Sequence, residues 1–247
     1  MKTTCKRNTP ANPQATSPSA RRVLVIDIGG THVKLLLSGH TLHRQFDSGP
    51  ALTPRQLVTQ VRKLTTDWPF DAVSIGYPGP VQHDRPTEEP WNLGQGWMRF
   101  NFHAAFRRPV KMINDAAMQA LGSYRGGKML FLGLGTGMGS AMVVDHIVIP
   151  MELAHLTYRD ATFEDYLGIR GLKKCGEHKW RQHVNRVVKL LTAALLPDDV
   201  VLGGGNVHRL QQLPPGCRAG DNANAFLGGF RLWADARPVR KISSRSR

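Results

Sequence analysis

Two stretches of this chain share one plan: an apolar run, a glycine-rich turn, and a second apolar run. The first is VLVIDIGGTHVKLLL (23–37), with Asp27 closing the first run and Gly29, Gly30 and Thr31 in the turn. The second, KMLFLGLGTGMGSAMVVDHIVI (128–149), sets Gly133, Gly135, Thr136, Gly137 and Gly139 between its runs. One Gly-Gly pair between β-branched strands is an ordinary hairpin turn. Two matched units imply an internal duplication: two related α/β lobes with a cleft between. A strand follows each turn, which excludes a Walker loop and a Rossmann fingerprint, where a helix follows. Glycine turns suit phosphate because backbone N–H groups approach the oxygens without a Cβ in the way. Asp27, at a strand end, is a candidate to hold Mg²⁺ directly or through water.

The 247 residues suffice for a full core, and no apolar run approaches the ~20 residues of a membrane span. The formal net charge of +15 suggests a polyanion partner, but residues 1–22 and 237–247 each carry five basic residues and no acidic one. The body between them is left with +5. Basic tails hold polyanions loosely and without specificity. No nucleic-acid motif accompanies them, so no specific nucleic-acid partner is expected. Residues 1–22 lack the apolar core of a signal peptide and read as a disordered tail on a cytoplasmic protein. Cys5, Cys175 and Cys217 are odd in number and widely spaced, giving neither a disulfide framework nor a zinc knuckle.

From residue 23 onward the pattern is α/β. Strands are predicted at 23–28 and 32–38, a third within 40–49, and a buried one within 71–81. A helix is predicted over 53–68, where Thr53-Pro54 precedes Leu57, Val61 and Leu64 at helical spacing. VKMIND (110–115) reads as a strand running into a helix, and a long helix is expected over 177–196. DDVVLGGGNVHRL (198–210) reads as strand, glycine turn and helix, and 222–236 as a final helix.

DIGGT (27–31), IND (113–115), LGLGTGMGSA (132–141), ELAH (152–155) and VVLGGGN (200–206) resemble, in this order, the ROK family of sugar kinases. The nearest likeness is to its polyphosphate glucokinase branch, over residues 23–236. The resemblance implies an actin-like, hexokinase-type fold of two ribonuclease H-like lobes around a central cleft. A small lobe would span 23–112, completed by the helix at 223–236, and a large lobe 113–222. Asp27, Gly29, Gly30, Thr31, Gly135, Thr136 and Gly137 would form the phosphate hairpins, with Lys34 able to reach a phosphate. Asp115 would be the general base; its bland alternative is a helix N-cap. Asn114, Asp115, Glu152 and His155 would bind sugar hydroxyls. Gly203, Gly204 and Gly205 would lie near the adenosine of a nucleotide donor. FEDYLG (163–168) is similar to the family segment with a second sugar-binding glutamate, which makes Glu164 a candidate. NLGQGW (92–97) is similar to a loop that closes over the sugar, with Asn92 on a hydroxyl and Trp97 shaping the pocket. Residues 156–170 contain no cysteine, so no zinc is expected where many family members bind it.

What the resemblance implies, then, is phosphoryl transfer to the 6-hydroxyl of glucose with Mg²⁺, from polyphosphate, in a homodimer. ATP is the alternative donor, and another hexose or an amino sugar the alternative acceptor. A sugar-sensing regulator is disfavoured, since 22 residues before the first strand are too few for a DNA-binding helix-turn-helix.

Overall fold

A computed structural model describes residues 21–234. The expected basic tails, apart from Arg21 and Arg22, fall outside the described residues.

The first sheet begins with β1 (Val23–Ile28), β2 (His32–Leu37) and β3 (Arg44–Asp47), which pair antiparallel in succession. Helix α1 (Pro54–Leu64) follows. Its start is set by a capping box between Thr53 and Gln56 with Pro54 behind it, and Leu57, Val58 and Val61 face the core. β4 (Ala72–Tyr77) then lies parallel to β1 and is buried along its whole length, as a central strand covered on both faces must be. A small hairpin of β5 (Val81–Gln82) and β6 (Arg85–Pro86) and a short helix α2 (Phe102–Phe106) precede β7 (Val110–Asn114), parallel to β4. The sheet order is β3-β2-β1-β4-β7.

Helix α3 (Asp115–Ser123) leads into the second sheet: β8 (Lys128–Leu134), β9 (Met138–Val144) and β10 (Ile147–Met151), again antiparallel in succession. The hairpin of β11 (Thr157–Tyr158) and β12 (Ala161–Thr162) and helix α4 (Phe163–Leu167) follow. The long helix α5 (Ile169–Leu195) is broken at Gly176, whose φ of 74° is left-handed. β13 (Asp199–Gly203) and β14 (Cys217–Ala219) add in parallel beside β8, so the order is β10-β9-β8-β13-β14. Three antiparallel strands followed by two parallel ones, twice, is the duplication the glycine turns imply. The helix expected after VVLGGGN is instead one 3₁₀ turn, Val207–Arg209, because Pro214 and Pro215 follow too closely for a helix to extend.

Helix α6 (Asn224–Arg231), the last described element, crosses α3 between the sheets. Ala116, Ala117, Ala120 and Leu121 of α3 pack on Met129, Phe131 and Ala141 of the second sheet. Ala225 and Phe226 of α6 pack with Val23, Val25 and Ala72 of the first. At the crossing, Gly122 and Gly228 let the two backbones touch; a Cβ on either would overlap a carbonyl of the opposite helix. Arg231 donates to the carbonyls of Leu121, Gly122 and Tyr124, satisfying the C-terminal end of α3.

Candidate active site

Both glycine turns open on the same space. A Cβ on Gly30 would lie 3.0 Å from Asn92 Nδ2 and 3.8 Å from Thr136 Oγ1, so the first turn, the 92–97 segment and the second turn meet at one point. The first turn is held from behind by Ser48, whose Oγ donates to Gly29 O (2.7 Å) and whose N–H donates to Thr31 O (2.9 Å). Asp27 pairs across the antiparallel ladder with Lys34, which places both side chains on one face. The carboxylate sits over Gly76 of β4, 3.5 Å from where a Cβ would be. A Cβ at that position would collide with the Met118 methyl.

The second turn is gripped by segments distant in sequence. Asn206 is buried; its Nδ2 donates to Gly135 O (2.9 Å) and its N–H to Leu134 O (2.9 Å). The Ile169 N–H, at the start of α5, donates to Thr136 O (3.1 Å). Glu164 lies directly against Gly137, where a Cβ would collide with its carboxylate, and accepts from Arg170 (3.3 Å). Of the three glycines at 203–205, Gly203 backs the Phe131 ring, Gly204 (φ 86°) backs Leu134, and Gly205 alone faces open space.

Asp115 begins α3, directly after β7. The N-cap is Asn114, whose Oδ1 accepts from the Ala117 N–H (3.1 Å) while its Nδ2 donates to Gly79 O (3.2 Å). The capping alternative raised for Asp115 is therefore met by its neighbour. Asp115 accepts only from the adjacent Ala116 N–H (2.8 Å) among the described residues. Desolvation, with the Asp27 charge next and Glu152 a smaller contributor, pushes its carboxyl up to about 7. Desolvation pushes Asp27 up to about 6 against the opposing pull of Lys34. Both groups are recessed yet keep some contact with solvent.

Glu152 and His155 approach to 3.8 Å, with His155 well exposed. Ser140 of β9 fixes them: its Oγ donates to Met151 O (2.7 Å) and accepts from the Leu153 N–H (3.2 Å), bracketing Glu152. Burial raises the Glu152 carboxyl, offset in part by His155, with Glu88 and Glu164 adding repulsion. Trp97 is fully buried between Tyr77 and Phe102, so its ring packs in the first lobe's core, whereas Trp91 is fully exposed. Ser48, Gly76, Glu88 and Asn206 take part here without a role assigned from sequence. Only Asn206, inside VVLGGGN, lay within a motif. Among the described residues no three His, Cys, Asp or Glu side chains converge as a metal-binding group, and no helix is long and apolar enough to cross a membrane.

Two like sheets whose glycine hairpins meet at one point define a two-lobed, actin-like α/β protein. Residues 23–157 match the ROK family, and the chain belongs to that family. It is 26% identical over 223 residues to the polyphosphate glucokinase of Mycobacterium leprae, an alignment covering 81% of this chain and 68% of the relative. With the polyphosphate glucokinase of Mycobacterium tuberculosis strain CDC 1551 it shares 26% identity over 158 residues, covering 58% of this chain and 59% of that one. The chain thus spans roughly three-fifths to two-thirds of the length of these relatives. The crystal structure of the inorganic polyphosphate/ATP-glucomannokinase from Arthrobacter sp. strain KM superposes with a TM-score of 0.72 at 22% identity, covering 85% of this chain and 97% of that one.

Proposed function

We propose that this protein is a sugar phosphotransferase that moves a phosphoryl group from polyphosphate to the 6-hydroxyl of glucose. The observation that carries this reading is the meeting of Gly30, Thr136 and Asn92 at one point, with Asp27 of the same first turn close enough to raise the recessed Asp115. Phosphoryl transfer needs positioning and charge neutralisation more than covalent chemistry. The turns at 29–31 and 135–137 bind the donor phosphates through the N–H groups of Gly30, Thr31, Thr136 and Gly137 and the threonine hydroxyls, while the N–H groups of Gly29 and Gly135 close their own hairpins on His32 O and Gly137 O. Asp115 accepts the proton of the attacking hydroxyl, and a carboxyl raised to about 7 is matched to that task near neutral pH. Asn92, Asn114, Glu152, His155 and Glu164 orient the acceptor's other hydroxyls.

The Asp27 charge helps to raise Asp115, and Asp27 is itself raised by burial with Lys34 pulling the other way, which fits a site that receives a divalent cation. Asp27 would hold Mg²⁺, through water, and the ion would neutralise donor charge. Lys34 lies on the same face and assists. ATP is the second donor considered, since the Arthrobacter enzyme is described for both; Gly203, Gly204 and Gly205 would then lie near its adenosine. A cytoplasmic homodimer completes the reading. The test is glucose 6-phosphate formation with Mg²⁺, comparing polyphosphate with ATP, and Asp115→Asn as control. Turnover with polyphosphate that the substitution abolishes supports donor and base together. Turnover with ATP alone overturns the donor assignment, and none with either overturns the activity.

A further inference from the structure

The segment carrying Asn92 is closed by a residue that no motif marks. The Oε2 atom of Glu89 accepts from the N–H groups of Gly96 (2.9 Å) and Trp97 (3.0 Å), and its Oε1 from that of Met98 (3.3 Å). Three successive N–H groups converging on one anion form a nest, and here the chain supplies the anion itself. Gly96 makes this possible with a φ of 99°, a conformation L side chains rarely adopt.

The result is a loop tied at both ends. Residues 89 and 96–98 are joined by the carboxylate, Leu93 and Trp97 are buried in the first lobe's core, and the Gly94 N–H donates to Leu52 O (3.0 Å). Between these anchors Asn92 is left to project at Gly30, opposite Thr136. No bond among the described residues holds Asn92 directly; its place comes from the loop.

We propose that Glu89 is a positioning residue: its carboxylate fixes the 89–98 loop and so holds Asn92 at the junction of the two glycine turns. This rests on reading the cleft as the phosphotransfer site. Because Glu89 acts through Asn92, removing both costs no more than removing Asn92. A purely structural Glu89 would instead lower the melting temperature and leave kinetic constants intact.

The experiment is a double-mutant cycle of Glu89→Ala and Asn92→Ala, reading kcat and KM for glucose together with Tm. Each single variant is expected to raise the glucose KM about 10-fold, the scale of a modest misplacement, and the double variant no further. Glu89→Gln, whose carbonyl oxygen still accepts from Gly96 and Trp97, restores most of the loss. Should Glu89→Ala not fold, Glu89→Asp takes its place in the cycle, its side chain one methylene too short to reach all three N–H groups. Multiplicative effects in the double variant, or a lowered Tm with unchanged kinetics, would overturn the role of Glu89 and leave the proposed reaction standing. A wild-type protein without turnover on any donor would overturn both.

Discussion

The two glycine turns follow one plan but are held differently. The first is a short loop between paired strands, backed by Ser48, and it carries ionisable groups: Asp27 at its entry and Lys34 directly across the ladder. The second carries no ionisable side chain of its own and is gripped from outside by Asn206, the start of α5 and the Glu164 carboxylate. A duplicated scaffold has thus divided one task. One turn handles charge, and its effects should depend on pH; the other is a backbone cradle, and its effects should not.

The sharpest use of this contrast is at Asp115, which faces the charged turn. Asp115→Asn should lower kcat about 10³-fold by removing the base. In the wild type the rate should rise with pH through about 7, as the carboxyl ionises. Stability should move the opposite way. A carboxyl whose folded value lies above its usual 3.8 adds stability that is complete below about 4 and lost as pH rises through about 7. Asp115→Asn should therefore melt above the wild type at pH 8, by a gap that narrows towards pH 5. Thermal melts at the two pH values check this, and equal gaps would remove Asp115 from the charged network.

Next in size is Asp27→Asn, expected to cost about 10²-fold in kcat/KM through loss of the anchor proposed for the cation and of its charge balance. The Asp27 charge is the second contributor to the raised Asp115 carboxyl. Its removal should shift the acid limb of the pH–rate profile to lower pH. A profile that keeps its wild-type midpoint would mean that the two carboxylates do not communicate. Smaller again is Lys34→Met, about 10-fold, with activity partly regained as pH is raised, because the loss of Lys34 lifts Asp27 further.

Much of this division was legible in the sequence. Asp27 and the glycines declare the hairpins by local chemistry, and α1 by Thr53, Pro54 and its apolar spacing. Other features depend on contacts between residues far apart. The α3–α6 crossing rests on Gly122 meeting Gly228, and neither glycine differs from any other when read along the chain. Gly76 gains its meaning only because β4 lies against α3 and leaves room for the Met118 side chain beside Asp27. The capping ambiguity at Asn114-Asp115 needed side-chain geometry, since either residue type caps well. The strand β14 was missed because three residues between a Pro-Pro-Gly turn and a polar stretch carry no period.

The smallest effect on activity belongs to the second turn and completes the comparison. Asn206→Ala removes the donor to Gly135 O and leaves that half-buried carbonyl without its side-chain partner, a loss of about 1–2 kcal/mol in stability. For a chain of this size that is a fall of roughly 2–8 °C in Tm. A cradle that is looser but chemically unchanged should raise the donor KM a few-fold and leave kcat near the wild type. The pH–rate profile should keep its midpoint, because Asn206 bears no charge and hydrogen-bonds to neither Asp27 nor Asp115. A displaced midpoint in Asn206→Ala would show that the cradle also sets the charge state of the site, and the division of labour between the turns would fail.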